Sequence, residues 1–153
     1  MERVSDYPRR PRVEHVTRHV RVVLGGIVLA ETRTPARVLE MYHPPVYYFS
    51  PDDVLLEHLA RSSSSSACEW KGIASYFDVS AGGKVARNAA WTYPDPTSAF
   101  ASIRDWIAFY PAPMDECTVD GEIAKPQPGG FYGGWITRDI VGPFKGESGT
   151  TGW

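Results

Sequence analysis

The chain has 153 residues, of which 42% are hydrophobic and 22% are charged, a composition typical of globular proteins that excludes wholesale disorder. Lys and Arg number 16 against 18 Asp and Glu, for a net charge of -2, so a basic protein that coats nucleic acid is excluded. The length suits one domain, and 14 Gly with 13 Pro favour short strands and turns over a helical bundle.

The alternation of apolar and turn residues predicts a mainly β domain. Gly25-Gly26 is a hairpin signal between the first two strands. Pro44-Pro45 ends the third strand, because proline cannot donate to a ladder, and a longer hairpin is expected to turn at residues 81–84. The predicted strands are residues 18–24, 27–31, 37–41, 46–49, 72–80, 85–93, 106–110 and 116–120.

Helix signals are few. Ser50 can cap a helix and Pro51 suits its first turn, but the following run, residues 54–59, is ambiguous between a short helix and a strand. Residues 97–105 are the one good helix candidate, because their apolar side chains recur at helical spacing. The pentaserine at residues 62–66 predicts an exposed loop.

Both ends of the chain differ in composition from the middle. Residues 1–17, which include a small cluster of arginines, are predicted to be a flexible arm, and residues 18–124 to be the β domain. Residues 125–153 form a tail rich in Gly and aromatic side chains. A disordered tail is usually poorer in aromatic residues, so we expect this one to pack on the body or on a partner subunit.

Targeting signals are not evident. The first residues contain no apolar run, so neither a signal peptide nor a membrane span is expected. Cys68 and Cys117 are too few for a disulfide framework. We therefore expect two reduced thiols in a cytoplasmic protein.

Three short segments carry side chains able to do chemistry. In the first, an extended Tyr47-Tyr48 pair sends its phenols to opposite faces of a strand, so one is buried and the other can line a cleft. Asp53, in the turn that follows, can hold a lysine or accept a ligand hydroxyl. The alternative for Asp53 is a carboxylate that caps a tight turn.

The second segment is Cys68 to Gly72. Lys71 can stabilise a Cys68 thiolate or bind a phosphate or carboxylate directly, and Gly72 permits a positive φ. The alternative is a buried thiol with a structural Lys–Asp pair. In the third segment Trp91 and Tyr93 share one strand face, which suits a flat ligand and core packing equally.

Several standard sites are missing from the sequence. It has no Cys-x-x-Cys pair and only four scattered histidines, so no structural zinc site is expected. It has neither a phosphate-binding glycine loop nor a Gly-x-Ser-x-Gly nucleophile elbow. No cofactor can be named from it.

These segments, in this order, resemble the bacterial and fungal domain of unknown function 427 family over about residues 22–121. The residues that carry the resemblance are Pro45-Val46-Tyr47-Tyr48-Phe49 with Asp53-Val54, Cys68-x-x-Lys71-Gly72, Ala74-Ser75-Tyr76, Ala89-Ala90-Trp91-x-Tyr93-Pro94-x-Pro96 and Ala108-Phe109-Tyr110. The tail is similar to that of longer single-domain members. The resemblance implies a compact, mainly β domain of two antiparallel sheets meeting at an angle, tent-like or partly open, and a nucleotidyltransferase-like label adds a nucleotide-like ligand as an expectation.

The sequence supports two alternative functions. The first is a small-molecule-binding domain, with catalysis left open, whose pocket takes an anionic or nucleotide-like ligand. Its proposed catalytic side chains are Asp53, Lys71 and Cys68. Of the two roles open to Cys68, a wall of the pocket is favoured over a nucleophile. The proposed ligand-binding side chains are Tyr48, Tyr76, Trp91, Tyr93 and Tyr110. The alternative is a non-enzymatic interaction module that forms a homodimer through the aromatic tail. Nucleic-acid partners are disfavoured by the acidic balance.

Overall fold

The computed structural model describes residues 1–150. Over that range the strands are β1 Glu2–Arg3, β2 Arg12–His15, β3 Val20–Leu24, β4 Ile27–Thr32, β5 Ala36–Leu39, β6 Val46–Phe49, β7 Leu59–Cys68, β8 Gly72–Ala81, β9 Lys84–Thr92, β10 Ile107–Phe109, β11 Glu116–Val119, β12 Glu122–Ile123, β13 Lys125–Pro126, β14 Trp135–Ile136 and β15 Ile140–Val141. The helical turns in the same range are 3-10 helices at Val4–Asp6, Pro51–Asp53, Leu56–His58 and Ser98–Ile103.

Two antiparallel sheets form the body. The larger has seven strands in the order β2-β5-β6-β10-β9-β8-β7, and the smaller has four in the order β12-β11-β3-β4. Short pairs, β13 with β14 and β1 with β15, add the ends of the chain. The mainly β, single-domain architecture predicted from the sequence is confirmed.

The main core lies between these two sheets because strand residues alternate between faces. In β6, Tyr47 and Phe49 face this core, where Phe49 meets Phe109 of β10 at a ring-centroid distance of 5.8 Å. Tyr48 points to the opposite face of the larger sheet, so the predicted division of the tyrosine pair is confirmed, although both rings are buried. A second apolar cluster on that face is covered by the 3-10 helix Ser98–Ile103.

Two local predictions need correction. The pentaserine is exposed as expected, but it is not a loop: it lies within the ten-residue strand β7, at the edge of the larger sheet. Ser65 and Ser66 pair with β8, and the serines between Arg61 and Ser65 fall within a register irregularity of the same strand pair. The helix expected at residues 97–105 is the 3-10 helix Ser98–Ile103 rather than an α-helix.

The segment predicted as an N-terminal arm lies against the body in the structure. β1 pairs in parallel with β15 from the tail, and β2 pairs with β5. The buried Arg37 guanidinium donates to both carboxylate oxygens of Glu2, at 3.1 and 2.9 Å, and its Nε donates to Glu14 at 2.8 Å. Composition alone did not indicate these contacts.

No helix within residues 1–150 has the length and apolar character needed to cross a membrane.

Candidate functional site

A cavity of about 270 Å³ opens on the face of the larger sheet that is turned away from the smaller one. We call it the central cavity. Side chains from distant parts of the sequence meet there, and they include seven of the eight proposed site residues: Tyr48, Cys68, Lys71, Tyr76, Trp91, Tyr93 and Tyr110.

Sheet register explains why the aromatic residues meet. Tyr76 of β8 is paired with Trp91 of β9, and Trp91 with Ala108 of β10, which is paired in turn with Tyr48 of β6. The small Ala108 separates two large rings in this row and leaves space between them. Trp91 Nε1 donates across that space to the Tyr48 hydroxyl at 3.2 Å, while its ring lies 4.7 Å from that of Tyr110. The row forms the aromatic floor of the cavity.

The Tyr48, Tyr93 and Tyr110 phenols at the cavity remain protonated at neutral pH. Burial raises the pKa of Tyr48, Tyr93 and Tyr110 above the ordinary value of 10.0. Tyr76 shares a hydrogen bond of 2.9 Å with Ser66 of the pentaserine strand. The Tyr48, Tyr93 and Tyr110 phenols can therefore offer neutral hydrogen bonds to a ligand, but no negative charge.

The turn from β7 to β8 places Cys68 and Lys71 at the cavity rim. The Lys71 N–H donates to the Cys68 carbonyl at 3.2 Å. Gly72 adopts φ +115°, and a Cβ on it would lie 3.2 Å from the Asp95 carbonyl oxygen, so its predicted conformational role is confirmed. The alternative of a structural Lys–Asp pair is wrong: Lys71 forms no ion pair with a carboxylate in the described part of the chain.

Asp53 was proposed as a catalytic side chain able to hold a lysine, but it does not line the central cavity where Lys71 lies. It ends the 3-10 turn Pro51–Asp53, where its N–H donates to the Ser50 carbonyl at 2.9 Å. The next residue, Val54, forms a bridge with Ala30 of the smaller sheet. The chain therefore turns toward the core between the sheets and carries Asp53 away from the cavity face.

Sequence reasoning missed a polar group at one end of the cavity. Its members lie in the loop between β5 and β6 and in the tail, and they are Glu40, His43, Gln127 and Lys145. The His43-Pro44-Pro45 sequence was visible as a strand break, but nothing in the spacing linked it to residues more than eighty positions later.

A buried amide organises this polar group. Gln127 Oε1 accepts from the Gly134 N–H at 3.2 Å, and its Nε2 donates to the Lys145 carbonyl at 2.9 Å. The same Nε2 lies 3.0 Å from His43 Nδ1. Because the amide nitrogen can only donate, His43 Nδ1 is an acceptor in this network.

The electrostatics of the polar group depend on burial and on two ammonium groups. Burial, reinforced by Lys145 and Lys71, lowers the pKa of His43 from 6.5 to about 4. Burial raises the pKa of Glu40 above 4.5, although the same two lysines act in the opposite direction. His43 is therefore neutral at neutral pH, and Glu40 is the one carboxylate among the described residues that line the cavity.

The tail supplies a wall of the cavity. The Tyr110 hydroxyl donates to the Phe131 carbonyl at 3.2 Å, and Lys145 Nζ lies 5.4 Å from the centroid of the Tyr132 ring. Tyr132 also meets His43 edge-on, with ring centroids 5.0 Å apart. A site built by the body alone would lack this wall.

Two further hollows continue the cavity into a groove. One, of about 580 Å³, shares Glu40, His43 and Lys145 and is also lined by Arg9 and Trp70. The other, of about 310 Å³, shares part of its lining with the central cavity: Tyr76, Tyr110, Gln127, Phe131 and Tyr132. The larger hollow lacks the aromatic floor, so we assign the candidate site to the central cavity.

No group of three or more His, Cys, Asp or Glu side chains lies close enough to hold a metal ion within residues 1–150. The polar side chains that line the cavity include one lysine from the body and one from the tail.

A family model described as "Domain of unknown function (DUF427)" matches residues 12–120. No curated protein matches the chain. The matched range contains the aromatic floor, Cys68 and Lys71, but it ends before Gln127, Tyr132 and Lys145.

Proposed function

The chain belongs to the DUF427 family, and we propose that it binds a small anionic ligand with a flat body, such as a nucleotide, in the central cavity. This proposal rests on one observation: Lys71 and the aromatic floor line the same cavity. The family description names no activity, so the argument depends on the site itself.

Shape supports the flat body. The floor offers an indole and several phenol rings, which recognise a planar group through stacking and apolar contact. Trp91 is 7% exposed, so it is largely packed and held by its neighbours. A rigid aromatic surface of this kind binds without a large loss of side-chain freedom.

Charge supports the anion. Lys71 is half-buried, and no carboxylate pairs with it in the described part of the chain. A partly buried ammonium group without a directly paired carboxylate is stabilised by an incoming anion. Lys84, in contrast, is paired with Asp115 at 2.7 Å.

Cys68 serves in this proposal as a wall of the cavity and not as a nucleophile. His43 lines the same cavity, but its Nδ1 is engaged by Gln127. A catalytic thiol needs a base that is free to take its proton. Binding, rather than covalent catalysis, is the function that these contacts support best.

A thermal-shift and tryptophan-fluorescence screen of nucleotides, sugar phosphates and aromatic carboxylates tests the proposal. A true ligand at a hundred times its Kd stabilises the folded protein by about 2.7 kcal/mol. We expect the stabilisation to be lost in Lys71→Ala and kept in Lys125→Ala, an exposed lysine outside the cavity. Stabilisation by no anion, or equal stabilisation of both variants, would refute the proposal.

A second candidate function remains supported by one observation on the tail. Phe131 is 72% exposed, and an exposed aromatic ring of this kind suits contact with another protein surface. Homodimerisation through the tail would bury it. Light scattering of wild type and Phe131→Ser tests this candidate, because only a dimer that uses Phe131 would dissociate in the variant.

A further inference from the structure

Two positive charges, not one, face the central cavity. Lys145 comes from the tail and Lys71 from the body, and both lower the pKa of His43. Like Lys71, Lys145 has no ion pair with a carboxylate within residues 1–150. Both ammonium groups act on the Glu40 and His43 side chains, and a ligand with a single negative charge would neutralise only one of the two.

A neutral donor accompanies the two cations. His43 Nδ1 accepts from Gln127, whose orientation is fixed at its other end by the Gly134 N–H. In a neutral imidazole the proton is then on Nε2. The low pKa of His43, about 4, keeps it in this form at neutral pH, so the histidine contributes an N–H donor without a third charge.

From this arrangement we infer that the anionic group of the ligand is a dianionic phosphate monoester, held by Lys71 and Lys145 with the neutral His43 Nε2–H as an additional donor. This inference rests on the proposed function and specifies its ligand class. Two ammonium groups match a double negative charge, and a phosphate monoester has three terminal oxygens to receive three donors. A carboxylate has neither the charge nor the third oxygen.

The tail is the part of the chain that makes this selection. Lys145 is held in place through its backbone, because its N–H donates to the Tyr42 carbonyl at 2.8 Å and its carbonyl accepts from Gln127. Exchanging its side chain for glutamine removes the charge and leaves those bonds intact. Lys145 is therefore a specificity-determining residue that can be changed without removing the wall.

The inference predicts a pH dependence set by the ligand. A phosphate monoester gains its second charge with a pKa of about 6, whereas His43 stays neutral at that pH. The charged and titratable groups around His43 are Glu40, Lys71, Lys145 and the Tyr132 phenol, together with Arg9 and Tyr42 in the adjoining hollow that His43 also lines. Glu40 acts against the expected loss of phosphate binding at low pH, because its protonation removes a negative charge that competes with the ligand. This effect is limited, since Glu40 carries at most one charge and the two lysines carry two.

Phenyl phosphate and phenyl sulfate form the matched pair of probes for the test. They have nearly the same shape, but the sulfate is a monoanion at every pH used. Calorimetric titration of the full-length protein at about pH 7.5 is expected to give at least about tenfold tighter binding of the phosphate, with the preference shrinking at about pH 5. In Lys145→Gln the preference is expected to fall about tenfold, and in Lys125→Gln to be unchanged.

The outcomes separate this inference from the proposed function. Equal affinity for the two probes, or binding of neither, overturns the inference. The proposed function survives equal affinity if Lys71→Ala abolishes binding of both probes. It falls together with the inference if neither probe binds and the wider anion screen also fails. A phosphate preference that persists in Lys145→Gln overturns the role of the tail.

Discussion

The backbone of Gly133 lies directly against the indole of Trp91: a Cβ built on this glycine would be 2.2 Å from Trp91 Cη2. The contact joins the tail to the aromatic floor and leaves no room for a side chain. The glycine is therefore required by close approach and not by an unusual φ.

Gly133→Ala is expected to be destabilising, because its methyl group would overlap the indole. Overpacking of this kind costs about 1–3 kcal/mol, measured as a loss in the free energy of unfolding by chemical denaturation. Trp91→Phe removes the overlapping ring atoms, so the double variant should recover part of that loss. Simple additivity of the two substitutions would show that the contact is not the cause.

Arg37→Met is expected to loosen the N-terminal segment. The buried guanidinium holds Glu2 and Glu14 together, and charge-assisted hydrogen bonds of this kind contribute about 2 kcal/mol. Arg12→Met is the matched control, because Arg12 is 60% exposed and lies 3.9 Å from Glu14, so it should cost little. Equal losses in the two variants would contradict the assigned role of Arg37.

The same ion cluster predicts how stability depends on pH. Partial burial disfavours ionisation of Glu2, yet hydrogen bonds from Arg37 and Tyr7 hold its pKa below 4.5. Its stabilising contribution is therefore complete above the unfolded-state pKa of about 4.5 and is lost as the pH falls through the lower folded-state value. Unfolding measured between about pH 3 and pH 6 should show a shallower acid dependence in Arg37→Met than in wild type.

Removal of the tail is expected to destabilise the body. Trp135 is fully buried in the core between the sheets, and its Nε1 donates to the Phe109 carbonyl at 3.1 Å. Truncating a buried aromatic side chain costs about 3–5 kcal/mol, so Trp135→Ala should lower the melting temperature strongly. Proteolytic removal of residues 126–153 without a change in thermal stability would contradict packing of the tail on the body.

The two cysteines are expected to differ in alkylation. Cys117 is buried, and burial raises its pKa above 9.0, so iodoacetamide should not label it in the folded protein. Cys68 is half-buried and lines the cavity, so a bound ligand should slow its labelling. Mass spectrometry after timed alkylation measures both. Labelling of Cys68 faster than free cysteine would indicate a nucleophile instead of a wall.

Glu40→Gln is expected to strengthen anion binding. The substitution keeps the size of the side chain and removes the carboxylate that competes with a ligand for Lys71 and Lys145. A gain of about tenfold in affinity for phenyl phosphate at neutral pH is expected from one fewer repulsive charge, measured by calorimetry. Weaker binding in Glu40→Gln would show that the carboxylate contacts the ligand favourably.

The sequence was most informative where strand alternation decides the outcome. The period of two correctly placed Trp91 with Tyr93 on one strand face and Tyr47 opposite Tyr48, since side chains on a strand alternate strictly. The loop predicted for the pentaserine was wrong for the opposite reason. Serine has a low strand propensity, but pairing with the strongly alternating β8 overrides local preference.

Side chains brought in by loops could not be assigned to the site in the same way. Asp53 follows a strand that lines the cavity, yet one turn is enough to carry it to the other side of the sheet. Lys145 and Gln127 reach the cavity through backbone contacts of the tail with residues 42–45. No periodicity encodes such long-range contacts, because they depend on how the whole sheet is assembled.

The parallel pairing of β1 with β15 also bears on synthesis of the protein. On the ribosome β1 emerges before β15, and the strands of both sheets are translated in the interval between them. Until residues 127–145 have been synthesised, the surface that they cover is therefore exposed in the nascent domain. The wall that the tail contributes to the central cavity therefore forms only after residues 127–145 have been synthesised.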